Sequence, residues 1–290
     1  MSPEVLLGFF LQGVLLPAVV SGFLFLGLKG IAPRQAGAVA ITGGFLAGFI
    51  GISGVGGLGF PPRSAQHWLP LMALAGLALG LLEPLYANNL VARWGVRIAL
   101  LEFLLWRIFQ GQINHPFPNR GWSLDTTLTN FALITLVVAA LWWALDYLLD
   151  REQQRPTEDN VRARAVLPTA LTVIATGSAL GVVFSKALVM GQLTGALTGA
   201  LGAVAVVAWL FGGGLGRSAS PVLALILIIP WLSVFAGDIV VISAIILALT
   251  PWLLAVPLSQ LKPWQQAVAA CGVVLLPTVT AVVIAFNAYS

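Results

Sequence analysis

The sequence predicts an all-α, polytopic integral membrane protein of about ten transmembrane helices, and three observations carry that prediction. Of 290 residues, 59% are hydrophobic and the mean hydropathy is +0.98. Charged residues make up only 8%, against roughly 25% in a soluble globular chain. The apolar residues also fall into runs near the ~20 residues that a helix needs to cross hydrocarbon. Too little polar material remains to cover a water-exposed surface. Ten such spans leave about 90 residues for every loop and tail, which excludes a separate soluble domain.

The predicted spans cover residues 5–28, 36–60, 68–86, 96–110, 128–149, 166–188, 193–211, 221–235, 239–257 and 267–286. The first follows Met-Ser-Pro-Glu, lacks a positive flank and exceeds the length of a signal core, so a retained helix is expected. The stretch 221–257 is nearly twice the length of one crossing, and its single charge lies in Ala236-Gly237-Asp238. A tight turn there splits it into two antiparallel helices.

The fourth span is interrupted by Arg93, Arg97, Glu102 and Arg107. At 100° per residue the three arginines fall within about 80° of one another and Glu102 points the opposite way. A basic helix lying flat on the membrane is the alternative. The distribution of cations in the loops decides between them. If the segment spans, Lys29, Arg34, Arg93, Arg97, Arg151, Arg155, Arg162, Arg164, Arg217 and Lys262 share the cytoplasmic side, against Arg63, Arg120 and Lys186 outside. If it lies flat, the cations divide evenly between the two sides. Spanning is therefore predicted, in a cell (inner) membrane, with both termini extracytoplasmic.

The hydrophilic stretch 151–165 separates a first membrane half, 1–150, from a second, 166–290, each with five spans. Each half has a glycine-rich second helix closing on Gly-Gly-Leu-Gly, at Gly56-Gly57-Leu58-Gly59 and Gly213-Gly214-Leu215-Gly216. An odd number of spans per half would insert the halves in opposite senses, so an inverted repeat is expected. Chance is the plainer explanation in a chain this rich in Gly and Leu.

Two histidines, His67 and His115, and one cysteine, Cys271, exclude a bis-His haem ladder, a Cys-rich zinc site, an iron-sulfur cluster and an internal disulfide. No Gly-x-x-x-x-Gly-Lys-Ser/Thr phosphate loop occurs. Neither a cofactor nor a resident metal is expected. The net charge of +4 and pI near 9.7 suit an anionic lipid surface, and nucleic acid is not an expected partner.

Charges within hydrocarbon cost about 2.5–3.5 kcal/mol each at a helix centre, which makes them the first functional candidates. Glu102, Arg107, Lys186, Asp238 and Glu83 are the five singled out. Glu102 and Arg107 lie about 140° apart on their helix and cannot pair with each other. Asp238 has the right depth to neutralise Arg107 or Lys186, and Arg93 or Arg97 to meet Glu83. Structural ion pairs and snorkelling are the ordinary alternative for Lys186 and Glu83, and helix capping for Asp238. Glu102 is central and cannot snorkel. A carboxyl that gains and loses a proton is what a proton-coupled carrier requires.

The glycine-rich second and seventh helices supply backbone candidates, Ser53, Gly54, Gly56, Gly57, Gly213 and Gly214, where unwinding would expose peptide groups to a ligand. Close helix packing is the commoner use of such glycines. In the outer loops, His67 and His115 face one side, and Ser123 or Asp125 is placed to cap the fifth helix. Tryptophans near the span ends read as interfacial anchors.

The function expected from this pattern is a secondary transporter, or permease, moving a small solute by alternating access. Glu102 would be the coupling carboxyl, and Arg107 with Lys186 would attract an anionic group. The alternative is a non-transporting membrane subunit or scaffold that packs against partner membrane proteins or a second copy of itself. An enzyme is not expected, because no acid, base and metal cluster is recognisable.

Overall fold

The computed structural model describes residues 7–8, 10–54, 57, 60, 62, 64–86, 88–114, 121–154, 161–235, 239–256 and 260–289. Among them the chain is all-α. The helices are α1 (Leu11–Leu28), α2 (Ala36–Ser53), α3 (Leu69–Tyr86), α4 (Leu90–Ile113), α5 (Leu124–Gln153), α6 (Val166–Phe184), α7 (Leu188–Phe211), α8 (Ala219–Ile226), α9 (Ile229–Phe235), α10 (Val241–Leu249) and α11 (Pro263–Tyr289). Short 3₁₀ turns lead into α3 at Ala65–Trp68 and into α6 at Val161–Ala165, and extend α10 through Thr250–Ala255.

Seven helices, α1, α2, α3, α5, α6, α7 and α11, are long and apolar enough to cross a membrane, so the protein is a multi-pass membrane protein in contact with lipid. The other apolar stretches, Ala219–Phe235 and Val241–Ala255, are shorter. The first of these is broken at Leu227 and Ile228, where Pro230 lacks the N–H that would bond the carbonyl of Ile226. Every residue of α8 is buried, so its uniformly apolar sequence reads correctly as an inner helix. The expected turn at Ala236-Gly237-Asp238 lies outside the described residues. Val240, whose side chain caps nothing, is the N-cap of α10.

Local sequence sets several boundaries. Asn89 caps α4 by accepting from Ala92 N at 3.1 Å, and Ser123 caps α5 by accepting from Thr126 N at 3.2 Å. Helix α2 stops at Gly54, with φ 69°, instead of running on to residue 60. Helix α5 runs past the expected end of its span, so that Arg151 and buried Glu152 belong to the helix and not to a solvated linker.

The centre is a close-packed trio of α1, α2 and α7. A Cβ on Gly44 would lie 2.8 Å from the carbonyl oxygen of Pro17, and one on Gly199 would collide with the carbonyl of Val14. Ser21 crosses from α1 to donate to the carbonyl of Ala200 at 3.0 Å. Small residues here let backbones meet. The first turn of α1, Leu11–Leu15, is a π-helix just ahead of Pro17, a widening typical of a helix that has lost one backbone donor. Helix α3 closes on α8 in the same manner, through Gly76 against Val222 and Gly80 against Ser218.

The halves interlock through the α1–α7, α2–α7 and α3–α8 contacts. Both glycine-rich helices end alike, Gly54 at φ 69°, ψ 170° and Gly212 at φ 76°, ψ 174°. The packing around them differs: α1 rests on α2 and α7, whereas α6, its counterpart, rests on α7 and α11.

Candidate functional site

Helix α4 is flanked along its whole length by α3 and α5, antiparallel to both. Arg97 near its start meets Glu83 at the end of α3 and Asp146 towards the end of α5. Glu102 accepts from the hydroxyl of Thr135 on α5. Arg107 stacks over Trp68 at the start of α3, its guanidinium carbon 5.1 Å from the ring centre. The carbonyl of Gln112 takes the N–H of Trp122, just ahead of α5, at 2.9 Å.

Arg97 is the centre of a buried ion cluster. It is 1% exposed, with Glu83 and Asp146 each 4% exposed. Its fork donates to both oxygens of Asp146, at 2.6 and 3.2 Å, and to Glu83 Oε1 at 3.3 Å. Trp142 and Trp94 lie 4.6 and 5.4 Å from its guanidinium carbon. Ser220 of α8 donates to Asp146 Oδ1 at 2.5 Å. From the segment between α7 and α8, Arg217 donates to Glu83 Oε1 and to Asp150 Oδ1, each at 3.0 Å. Two cations thus face three carboxylates from three helices and a loop, and a fourth helix adds the Ser220 hydroxyl. The planar, bidentate fork of Arg97 is what makes burial of such a charge tolerable.

The sequence dictates this convergence. Gly80 brings the end of α3 against the backbone of Ser218, which sets Glu83, one turn on, beside Arg217. Asp146 and Asp150 stand one turn apart on α5 and share a face. Burial acts to lower the pKa of Arg217, but the attraction of Asp150, Glu83 and Asp146 and the hydrogen bond to Glu83 outweigh it and hold the pKa above the ordinary value. The guanidinium stays charged.

Cavities open beyond both ends of the α3–α4 pair. Near Arg107, a cavity of about 560 Å³ is lined by Pro62, Ser64, Trp68, Gln110 and Asn114. Arg107 donates there to Gln110 at 3.3 Å, and its buried Nε has no partner among the described residues. At the other end, a cavity of about 200 Å³ is lined by Arg34, Gln35, Glu83, Gln153, Arg217 and Ser218. The ion cluster borders the second of these through Glu83 and Arg217.

Of the residues singled out in the sequence, Glu83 is in the cluster, paired with Arg97 as one of its two expected partners and also with Arg217. Glu102 and Arg107 lie along the same helix without pairing to each other. Lys186 stands apart, exposed on the α6–α7 turn with φ 69°, and does not line the Arg107 cavity. Asp238 and Gly56 lie outside the described residues, as does His115. His67 shares a 3.1 Å hydrogen bond with Ser64 and rests edge-on against Phe49. Ser53 and Gly54 end α2 and Gly57 packs beside Ser53, whereas Gly213 and Gly214 line a third cavity.

Sequence reasoning missed Asp146 and the structural role of Arg217. The signal for Asp146 was present: a carboxylate inside the apolar run Leu141–Leu149, four residues after Trp142 and four before Asp150. No family model, curated protein or solved structure matches the chain.

Proposed function

We propose that the protein is a secondary transporter for a small anionic solute, with the α3–α4–α5 groove as its path. The observation that carries this reading is a buried ion cluster bordering one of two polar cavities that lie at opposite ends of one helix pair. A buried ion network is an expensive way to hold helices together, since apolar side chains of similar volume do so as well or better. It is well suited to a barrier whose bonds break and re-form as the halves move.

In this mechanism Arg107 receives the anion at one mouth, and Arg34 with Arg217 attracts it at the other. Glu102 is the coupling carboxyl. Glu83 and Asp146 are locked by Arg97, whereas Glu102 is held by a hydroxyl alone, with no cation in salt-bridge range among the described residues. It can therefore take up a proton without breaking an ion pair.

The distribution of cations supports one orientation. Lys29, Arg34, Arg93, Arg97, Arg151, Arg162, Arg164, Arg217 and Lys262 sit at the end where α1, α3, α5 and α7 finish, and Arg107 and Lys186 towards the opposite end. The first end is cytoplasmic by the positive-inside rule, α4 spans, and both termini are extracytoplasmic. Reporter fusions at residues 1 and 290 are expected on the same, outer side.

The deciding experiment is uptake by proteoliposomes of labelled monocarboxylates, dicarboxylates and phosphate, each with and without an inward proton gradient. Gradient-driven uptake of one class, lost in Arg107→Gln and uncoupled from pH in Glu102→Gln, is the expected result. No uptake of any probe, together with purification in a fixed ratio with another membrane protein, would establish the scaffold reading instead.

A further inference from the structure

A third cavity, of about 310 Å³, lies between the ends of α1, α5 and α7 and the starts of α2 and α6. Three cations line it, Lys29, Arg34 and Arg164, with one carboxylate, Glu152. Neither Arg97 nor Arg107 reaches it.

One wall is the extended run after α7. Gly212, Gly213 and Gly216 adopt φ of 76°, 107° and 72°, a region that side chains other than glycine rarely tolerate. The run is narrow for a second reason, because a Cβ on Gly214 would collide with the carboxylate of Glu152. The N–H groups of Gly213 and Gly214 give no hydrogen bond to a protein acceptor among the described residues. Lys29 donates to the carbonyl of Phe211 at 2.6 Å, which uses one of its three N–H bonds. The side chains of Arg34 and Arg164 engage no acceptor among the described residues. Cations that outnumber the carboxylate, beside backbone N–H groups exposed by left-handed glycines, form the donor set that holds a tetrahedral oxyanion.

We propose that this cavity binds a phosphate group, supplied by the headgroup of an anionic phospholipid or by free phosphate. The site lies at the end of the bundle where the basic residues collect, and basic pockets between helices at that level take phospholipid headgroups. It adjoins the cavity beside the ion cluster, with which it shares Arg34 and Gln153, and the variants below leave both of those residues in place.

The test compares the full-length protein with Arg164→Gln and with the pair Lys29→Gln and Arg164→Gln. Thermal unfolding is followed in phosphatidylcholine vesicles alone, with added phosphatidylglycerol, and with added inorganic phosphate. Titration midpoints are expected to rise about fivefold for Arg164→Gln and about 25-fold for the pair. A shift with phosphatidylglycerol identifies the lipid as the source, and a shift with inorganic phosphate alone identifies the free ion. Should the paired variant fail to fold, Arg164→Gln and native mass spectrometry of the unaltered protein, counting retained phosphatidylglycerol against phosphatidylcholine, decide the matter. Absence of any shift and of lipid preference overturns the proposal, as does a response that Arg164→Gln leaves unchanged.

Discussion

The two sides of the bundle share close packing through small residues, and one of them adds buried charge to it. In the α1–α2–α7 trio, backbones touch through glycine and alanine, and the polar links from α1 to α7 are side chains bonded to carbonyls, Ser21 to Ala200 and, at the end of α1, Lys29 to Phe211. In the α3–α4–α5–α8 group, a guanidinium and two carboxylates are buried where apolar side chains would serve cohesion as well. In lipid the hydrophobic effect draws neither set of helices together, so close van der Waals contact is the natural adhesive. The trio shows that the chain has this solution available. Gly76 and Gly80 bring the same solution to α3 and α8, so the charges around Arg97 are added to it and do not replace it.

Substitutions that exchange these two logics test the contrast. The largest effect is expected from Gly199→Leu, whose side chain has no space against the backbone of Val14. Displacing one helix of the trio should abolish folded protein, read as loss of a monodisperse peak after detergent extraction. Next comes Arg97→Met, which leaves buried Asp146 without a cation and Glu83 with Arg217 alone and should cost about 3–5 kcal/mol, measured by unfolding in mixed micelles. Adding Glu83→Gln and Asp146→Asn should recover most of that loss while leaving uptake abolished. A triple variant that transports normally would reduce the cluster to mere cohesion and erase the contrast.

Smaller effects sharpen it. Arg107→Gln gives up a contact with Trp68 worth about 0.5–1 kcal/mol and should raise the KM for the transported anion far more than it lowers stability. Glu102→Gln should change stability by less than about 1 kcal/mol, since an amide still accepts from Thr135, yet remove the dependence of uptake on the proton gradient. Smallest of all, Gly272→Ala within α11, where an added Cβ meets nothing within 4 Å, should stabilise the protein by about 0.5–1 kcal/mol. Where a glycine packs against nothing, as Gly272 does, it is only a liability.

The same contrast explains what was legible in the sequence. Helices in hydrocarbon announce themselves by long apolar runs, so every expected span falls on observed helix, and seven of the ten, all but the charged α4 and the two shorter stretches 219–235 and 241–255, are long and apolar enough to cross. Errors fell where backbone geometry, not hydropathy, ends an element. Gly54 stops α2 although apolar residues continue, and Pro230 breaks the run that begins α8. Site residues were legible one at a time, because a charge in an apolar run is conspicuous; Glu83 with Arg97 emerged that way. Their assembly was not. Asp146 lies in a different helix from Arg97, and Arg217 in a loop far along the chain, and nothing local reports that Gly80 brings that loop against α3. The glycine-rich helices drew attention as possible binding elements. Within α2 and α7 their glycines serve packing, and among the described residues only the run after α7 opens onto a cavity.

The α6–α7 connection has a bearing on how such a bundle could move. Phe184 and Leu188 are separated by Ser185, Lys186 and Ala187 alone, and Lys186 is the one described residue other than glycine in the left-handed region. A bend that sharp leaves no slack for its two arms to slide past each other. Spin labels midway along α6 and α7 should therefore report one fixed separation in every state the protein visits, and an added residue in the bend should be felt as a change of register along both arms.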